Sequence, residues 1–326
     1  MRRFIFTCGD VNGIGPEITI KALNKVTRSS NDRFIFVCPS NIFYKTAEII
    51  KPNFRFLETN NLNGINNSKV ILFNTGSIKM KFGAVTKESG EAAFRSIETA
   101  LKICKWNSND AIITAPISKT AIQLAGYHFP GHTEIFAGHY GVKNYVMMFL
   151  SKKMNAALAT IHEPIKKVPG LISQVKLSKK LDVIIQSLKM DLRIAAPRVA
   201  VLGLNPHAGE NGIIGNEEEK IISPLIKNRK YSDYLSGPYS PDAFFANKLF
   251  NKFDLVFGMY HDQVLIPFKF MNFGAGVNFT AGLPIVRTSP DHGTAFDIAG
   301  KGIADESSII SAYNYAKIIL CNRNRR

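Results

Sequence analysis

Short apolar runs that alternate with longer amphipathic stretches dominate this sequence of 326 residues. The apolar runs are bounded by Gly, Pro or Asn and have the length of buried strands; they cover 3–10, 33–40, 69–74, 110–116, 155–164, 198–210 and 254–263. The stretches with helical spacing include 88–106, 178–193 and 240–253. This alternation predicts an α/β protein whose mainly parallel sheet is covered by helices on both faces.

Length, apolar content and cysteine spacing predict the class of protein. A chain with 45% hydrophobic residues can bury the core of one large α/β unit or of two lobes. The four cysteines lie far apart and form no CxxC pair, which disfavours a zinc ribbon or a disulfide framework. No apolar run approaches the roughly 18 residues of a membrane span, and the N-terminal run is too short for a signal peptide. We expect a soluble, cytoplasmic protein with no membrane partner.

The formal net charge of +16 is the most unusual feature of the composition. Such a charge suits nucleic acid, an anionic membrane surface or a phosphorylated small molecule. The basic residues are scattered, however, and no basic stripe interleaved with aromatic residues is present. We therefore interpret most of this charge as solvated surface and expect no nucleic-acid partner.

Histidines end three of the predicted strands, at His162, His207 and His261, and His132 lies with Thr133 in the segment FPGHTE. A single histidine at a strand end is usually a hydrogen-bonded structural residue. Because the carboxyl ends of parallel strands meet at one edge of a sheet, three of them can converge there. Three neutral imidazoles suit a divalent transition metal and leave coordination positions open for substrate. The spacing leaves both interpretations open and favours the metal site.

Two glycine-rich segments have the composition of ligand-binding loops. The first, GDVNGIGPEI (9–18), combines a strand, a tight loop and a helix with an early proline, which is typical of a phosphate cradle. It lacks the third glycine of a dinucleotide fingerprint and the lysine of a P-loop, so a plain strand-to-helix turn is an equal alternative. The second, 281–308, is predicted to be a long functional loop that approaches a nucleotide, with His292 or Asp297 touching the adenosine.

Two cations and an amide lie within or just before this second segment. Lys269, Asn278 and Arg287 have the chemistry to bind a phosphate or a carboxylate, and arginine can do so in a bidentate manner. Taken singly, each would be an ordinary surface residue with no role.

Together these motifs resemble the 4-hydroxythreonine-4-phosphate dehydrogenase (PdxA) family of vitamin B6 biosynthesis. The likeness is carried by eight ordered blocks: GDVNGIGPE, TAPISKTAIQLAG, FPGHTE, IHEPIKKVPGLI, GLNPHAGENGIIGNEE, GPYSPDAFF, YHDQVLIPFK and GVNFTAGLPIVRTSPDHGTAFDIAGKGIAD. The resemblance implies a two-lobed α/β/α sandwich similar to isocitrate and isopropylmalate dehydrogenases, with the active site in the interlobe cleft. It implies a nucleotide-binding lobe of residues 1–128 plus 267–326, and a metal, substrate and dimerisation lobe of residues 129–266.

The resemblance also implies roles for individual residues. The implied metal ligands are His162, His207 and His261, the last contributed across the interface of a homodimer with a shared active site. The implied substrate-binding residues are His132, Thr133, Lys269, Asn278 and Arg287. The expected cofactor-binding residues are His292, Gly293, Thr294, Ala295 and Asp297. Asp242 and Asp262 are candidates for proton transfer or for orienting a ligand, and helix capping is an equal alternative for Asp242.

The expected reaction is the oxidation and decarboxylation of 4-(phosphooxy)-L-threonine to 3-amino-2-oxopropyl phosphate, in pyridoxal 5'-phosphate biosynthesis. It would use NAD or NADP and a divalent metal such as Zn²⁺, Mg²⁺, Mn²⁺ or Co²⁺ to acidify the substrate hydroxyl. Three alternatives stay open: a dehydrogenase of the same superfamily for another substrate, such as a phosphorylated four-carbon sugar acid; a metal-dependent hydrolase; and a nucleic-acid-binding protein. The expected partners are a small phosphorylated amino acid and a second copy of the chain.

Overall fold

The computed structural model describes residues 1–65, 68–105, 109–129, 131–272 and 274–324. The chain forms two compact units, and each has its own set of strands and helices. The first unit consists of Met1–Gly141 and Leu283–Asn324, and the second consists of Val142–Gly282. The predicted α/β class is confirmed in both.

The strands described in the first unit form a fully parallel arrangement. They are β1 (Arg3–Thr7), β2 (Arg33–Cys38), β3 (Leu57–Thr59), β4 (Val70–Asn74), β5 (Asp110–Thr114) and β12 (Val286–Pro290). They are hydrogen-bonded in the order β3–β4–β2–β1–β5–β12. Consecutive residues of β1 are buried, so both of its faces are covered, which explains why it is a continuous apolar run rather than an alternating pattern.

Helices cover this sheet. They are α1 (Gly15–Ser29), α2 (Ser40–Ile49), α3 (Lys87–Ile103), α4 (Lys119–Leu124), α5 (His132–His139) and α11 (Ser307–Arg323). Pro16 stands in the first turn of α1, where its missing N–H has no cost. Tyr313 of α11 packs edge-on against Phe4 of β1, with ring centroids 4.7 Å apart. The last helix of the chain therefore covers the first strand.

The second unit contains a mixed sheet. Its strands are β6 (Val146–Leu150), β7 (Ala156–Leu158), β8 (Val199–Leu202), β9 (Leu235–Tyr239), β10 (Leu255–Gly258) and β11 (Val277–Ala281). They are ordered β11–β6–β7–β10–β8–β9, and β6 runs antiparallel to both of its neighbours. Strands β7, β10 and β8 are adjacent and parallel, so their carboxyl ends lie at the same edge.

The described part of the second unit combines two longer helices with three short ones. They are α6 (Val168–Leu171), α7 (Gln174–Met190), α8 (Ser223–Ile226), α9 (Pro241–Ala246) and α10 (His261–Met271). A π-helical turn, Glu218–Ile222, leads directly into α8, and a short turn, Pro206–Gly209, follows β8. No helix in the described ranges is long and apolar enough to cross a membrane.

Three local predictions were wrong in extent. The stretch 240–253 is not one helix, because Lys248 adopts φ 52° and separates α9 from a 3₁₀ turn, Leu249–Lys252. The segment 281–308 is not one loop, because it contains β12, whose Pro-flanked sequence conceals a strand that is buried on both faces. The predicted strand 254–263 stops at Gly258, and His261 begins α10.

The bounds of the two units also differ from those expected. The sequence predicted divisions at 128/129 and 266/267, whereas the units divide at 141/142 and 282/283. Strand β11 explains the second difference, because it pairs with β6 and therefore belongs to the second unit. The nucleotide-binding role of the first unit and the metal-binding and dimerisation roles of the second stay predictions.

Candidate active site

Three predicted metal ligands follow three adjacent parallel strands of the second unit. His162 lies four residues after β7, His207 five residues after β8, and His261 three residues after β10. The strand order β7–β10–β8 brings these segments to one edge of the sheet. The rings of His162 and His261 lie 5.8 Å apart between centroids. His162 and His261 therefore lie close together, as their positions after parallel strands predicted.

Two of these histidines have an unusual backbone conformation. His162 has φ 31° and His207 has φ 50°, in the left-handed region that residues other than glycine seldom occupy. Such a conformation persists only where the surroundings impose it, and it is concentrated at functional sites. Both imidazoles are exposed, so no requirement of core packing explains their placement.

Carboxylates accompany two of the three histidines. Oδ1 of Asp262 lies 2.6 Å from Nδ1 of His261, which leaves Nε2 of that ring as the available ligand atom. The hydroxyl of Ser240 donates to Asp242 at 2.5 Å and lowers the pKa of that carboxyl, and the backbone of Ala243 and the nearby His207 lower it further. Asp242 is thus ionised at neutral pH and stands in the first turn of α9.

The donor atoms of this edge fit a divalent transition metal. Zinc–nitrogen bonds of about 2.0–2.1 Å place the centroids of two ligating rings roughly 5–6 Å apart, and His162 and His261 match this spacing. Within the described residues, no group of three or more His, Cys, Asp or Glu side chains is close enough to hold an ion. The inclusion of His207 in one site, and the contribution of His261 to a partner's site, stay predictions.

Arg287 is a predicted substrate-binding residue of the first unit, and it is unusual because its charged side chain is buried. It lies in β12 and is only 1% exposed, and its Nη2 and Nε donate to Oγ1 of Thr114 at 2.6 and 3.2 Å. Its guanidinium also lies 5.7 Å from the ring centroid of Phe136. Burial lowers the pKa of Arg287 to about 9, and the charge of Glu134 raises it. A buried cation with a lowered pKa is suited to an anionic ligand, which would restore its electrostatic balance.

His132 begins α5 and is close enough to Arg287 for the positive charge of the arginine to affect it. Burial lowers its pKa well below 6.5, and the charges of Arg287 and Lys119 lower it further, so the imidazole is neutral. Its Nε2 is buried and has no hydrogen-bond partner. Thr133 is 2% exposed in the same turn. A neutral imidazole with a free ring nitrogen and a buried guanidinium are complementary to a phosphate group.

Buried polar atoms without partners coincide with predicted site residues. Seven such side-chain atoms occur in the described part of the chain, and three belong to His132, Asn278 and His292. Because buried polar atoms in proteins are nearly always hydrogen-bonded, such atoms call for a ligand or a water molecule. Lys269 differs from them, since its side chain is exposed in the last turn of α10.

The predicted cofactor residues lie in the loop between β12 and α11, which the glycine-rich turn contacts. The backbone N–H of Ile14 donates to the carbonyl of Thr294 at 3.0 Å, and a Cβ on Gly13 would lie 2.7 Å from that oxygen. Ala295 has φ 42°, and Gly293 and Asp297 are exposed. The glycine at position 13 is thus required for close packing of the turn on this loop.

Some residues near the candidate site residues of the first and second units were not identified from the sequence. Thr114 and Lys119 lie close to Arg287 and His132, respectively. Thr114 is the polar last residue of the buried strand β5, and this position is the sequence signal that could have identified it. Asp10 is fully buried behind the glycine-rich turn, where burial raises its pKa to about 6 and Asn12 and Ser89 donate to it. Glu218 is 2% exposed below the loop of His207, and its position among three consecutive glutamates concealed it.

Comparisons with known proteins agree with these motifs. The family model described as pyridoxal phosphate biosynthetic protein PdxA matches residues 30–316. A 4-hydroxythreonine-4-phosphate dehydrogenase of a Sulfurihydrogenibium species is 40% identical over 327 residues, covering 100% of both chains. The enzyme of that name from Bacteroides thetaiotaomicron is 38% identical and covers 99% of this chain and 90% of its own.

A solved structure supports the same grouping. The 4-hydroxythreonine-4-phosphate dehydrogenase of Klebsiella pneumoniae matches with a TM-score of 0.81 at 32% identity, covering 98% of this chain and 100% of its own. A terephthalate 1,2-cis-dihydrodiol dehydrogenase from Burkholderia xenovorans has the same fold, with a TM-score of 0.63 at 23% identity. This chain belongs to the PdxA family of pyridoxal phosphate biosynthetic proteins.

Proposed function

We propose that the protein is a 4-hydroxythreonine-4-phosphate dehydrogenase. It would oxidise 4-(phosphooxy)-L-threonine with NAD or NADP, and the products would be 3-amino-2-oxopropyl phosphate, CO₂ and the reduced nicotinamide. The observation that carries this proposal is the series of three histidines after three adjacent parallel strands. The proposal is also supported by relatives named 4-hydroxythreonine-4-phosphate dehydrogenase, which match along almost the whole chain.

The phosphate group is assigned to the buried cluster of the first unit. Arg287 supplies a charge whose lowered pKa rises again when an anion binds, so binding recovers part of the cost of burial. His132 is neutral and can donate from Nε2 to a phosphate oxygen in the appropriate tautomer. In the second unit, Asn278 has a buried Oδ1 that is available to accept from a substrate amine or hydroxyl. Thr133 and Lys269 are assigned to the same substrate.

The hydroxyl and amine of the substrate are assigned to the histidine edge. When bound, Zn²⁺, Mg²⁺, Mn²⁺ or Co²⁺ supplies a Lewis acid that acidifies the hydroxyl, and the nicotinamide supplies the hydride acceptor. Asp262 would hold the proton of His261 on Nδ1, which leaves the lone pair of Nε2 available to a metal. Asp242 is ionised at neutral pH, so it can accept the hydroxyl proton.

The nicotinamide cofactor is assigned to the loop after β12. His292 has a buried Nε2 without a partner, which is available to a cofactor atom. Gly293, Thr294, Ala295 and Asp297 would place their backbone groups along the cofactor, and the packing of Gly13 on Thr294 keeps this loop in position.

A homodimer is part of the proposal. Ile266 and Phe270 are 66% and 89% exposed and lie one turn apart on α10, the helix that begins with His261. Large apolar side chains grouped on an exposed helix are typical of an interface between protein chains. We also propose a cytoplasmic location, because all four cysteines are free thiols.

The test is the appearance of reduced nicotinamide when the purified protein meets 4-(phosphooxy)-L-threonine and NAD or NADP. We expect reduction that depends on added Zn²⁺, Mn²⁺ or Co²⁺, is abolished by EDTA and is lost in His207→Ala. The exposed histidine of α5 provides a matched control, and His139→Ala should retain activity.

Metal binding without reduction would reject this substrate, and phosphorylated four-carbon sugar acids would be tested next. Release of inorganic phosphate without reduction would instead support the metal-dependent hydrolase.

A further inference from the structure

Glu218 is a buried carboxylate at the base of the loop that carries His207. It begins the π-helical turn Glu218–Ile222 and is 2% exposed. Its Oε1 accepts the backbone N–H groups of Leu204 at 2.6 Å and Asn205 at 2.8 Å. Its Oε2 accepts the side-chain amide of Asn205 at 2.9 Å. One carboxylate therefore fixes the backbone immediately before the predicted metal ligand.

The loop beyond these contacts is held in an unfavourable conformation. Six consecutive residues, 207–212, have positive φ. This is ordinary for the glycines at 209 and 212; the others are His207, Ala208, Glu210 and Asn211. A run of left-handed residues does not persist by itself, because each L side chain clashes with the following carbonyl. Contacts from elsewhere must stabilise it, and Glu218 supplies them at the point where the loop leaves β8.

The loop is also closed around the carboxylate. A Cβ added to Gly209 would lie 2.7 Å from Oε2 of Glu218. A second acid strengthens the arrangement, because Oε2 of Glu217 accepts the amide of Asn205 at 2.8 Å. The amide of Asn205 is thus held between two carboxylates, two residues before His207.

We propose that Glu218 is a positioning residue that acts through His207. Its carboxylate fixes Leu204 and Asn205, and this holds the left-handed turn that presents the imidazole of His207 to the divalent cation. The inference rests on the proposed function, since it assumes that His207 is a ligand. It adds an acid that touches neither the cation nor the substrate.

The experiment measures Co²⁺ affinity by the visible absorption of the bound ion in the full-length protein. Glu218→Ala removes all three hydrogen bonds, and we expect a loss of affinity of about 10- to 100-fold, as for other residues that orient a ligand. Glu218→Gln keeps an oxygen for the two backbone N–H groups and should give a smaller loss. Glu219→Gln changes the exposed neighbour and should bind Co²⁺ like the unmodified protein.

Two further measurements separate positioning from general stability. Thermal unfolding without metal identifies variants that are folded at the assay temperature, and if Glu218→Ala is not folded, Glu218→Gln carries the test. Hydrogen exchange at the amides of Leu204 and Asn205 should be faster in Glu218→Gln than in Glu219→Gln.

Unchanged Co²⁺ affinity in folded Glu218 variants would overturn the inference, even if their unfolding temperature fell, and would leave the proposed function intact. Unmodified protein that binds no Co²⁺ would overturn the metal site and this inference together. Equal Co²⁺ binding by His207→Ala would overturn the inference and the role of His207 as a metal ligand, and the NAD reduction assay would then decide the proposed function separately.

Discussion

Replacing Arg287 by methionine should stabilise the ligand-free protein while it weakens binding of a phosphorylated substrate. Arg287 is 1% exposed, and burial lowers its pKa from 12.5 to about 9. A change of one in pKa corresponds to about 1.4 kcal/mol. The fall of about 3.5 in the pKa of Arg287 therefore corresponds to roughly 5 kcal/mol. The folded protein bears this cost to keep the guanidinium charged at neutral pH.

Methionine removes that cost and fills much of the same volume. It also removes the two hydrogen bonds to Thr114, each of which contributes about 1–1.5 kcal/mol. We therefore expect the free energy of unfolding to rise by about 1–3 kcal/mol. Loss of the charged partner should weaken substrate binding by about 2–5 kcal/mol, which is roughly thirty- to several-thousand-fold.

The assay is urea unfolding of the unmodified protein and of Arg287→Met, each with and without 4-(phosphooxy)-L-threonine. Arg95→Met is the matched control, because Arg95 is 48% exposed on α3, and its effect should stay within about 0.5 kcal/mol. The reasoning is refuted if Arg287→Met is less stable than the unmodified protein without ligand. It is also refuted if the substrate raises the urea midpoint of that variant as much as it raises that of the unmodified protein.

Three other predictions concern the metal, pH and the cofactor. Asp262→Ala should weaken Co²⁺ binding about tenfold with little effect on the unfolding temperature, because the side chain is 68% exposed and contacts the ring of His261. A Kd for Co²⁺ that is unchanged in titration calorimetry would contradict this. The contribution of His132 to the free energy of unfolding should fall on acidification below about pH 6.5, by up to about 1.4 kcal/mol per pH unit, because the unfolded chain binds a proton that folded His132 resists. His132→Gln should flatten this slope, and an unchanged slope would show that other groups cause it. Asp10 contributes in the opposite direction, because burial raises the pKa of its carboxyl to about 6. Gly13→Ala should raise the KM for NAD and leave Co²⁺ affinity unchanged, because its Cβ would displace the carbonyl of Thr294; an unchanged KM would separate this turn from cofactor binding.

The sequence was most informative where burial alone determines structure. Strands such as β1 and β5 are buried on both faces, so their apolar runs revealed them directly. The rule that ligands gather at the carboxyl ends of parallel strands also predicted one edge for the three histidines, and β7, β10 and β8 are indeed parallel neighbours.

The rest depended on interactions between distant parts of the chain. The left-handed conformations of His162 and His207 leave no mark in composition, because histidine is not a residue that signals them. The run of three glutamates at 217–219 does not reveal which carboxylate is buried, since closure of the loop decides it. Strand β12 was concealed because the flanking glycines and prolines of its segment resemble those of a loop.

The discontinuous first unit has a consequence for the order in which the protein is made. Strand β12 and helix α11 complete that unit, yet the ribosome synthesises all of Val142–Gly282 before it reaches them. At about 5–20 residues per second, this delay lasts roughly seven to thirty seconds. During that time the edge of β5 and the aromatic surface of Phe4 lack the partners they have in the finished protein. The N-terminal part of the first unit therefore keeps apolar surface uncovered until the end of synthesis, whereas the segment of the second unit is contiguous in the sequence.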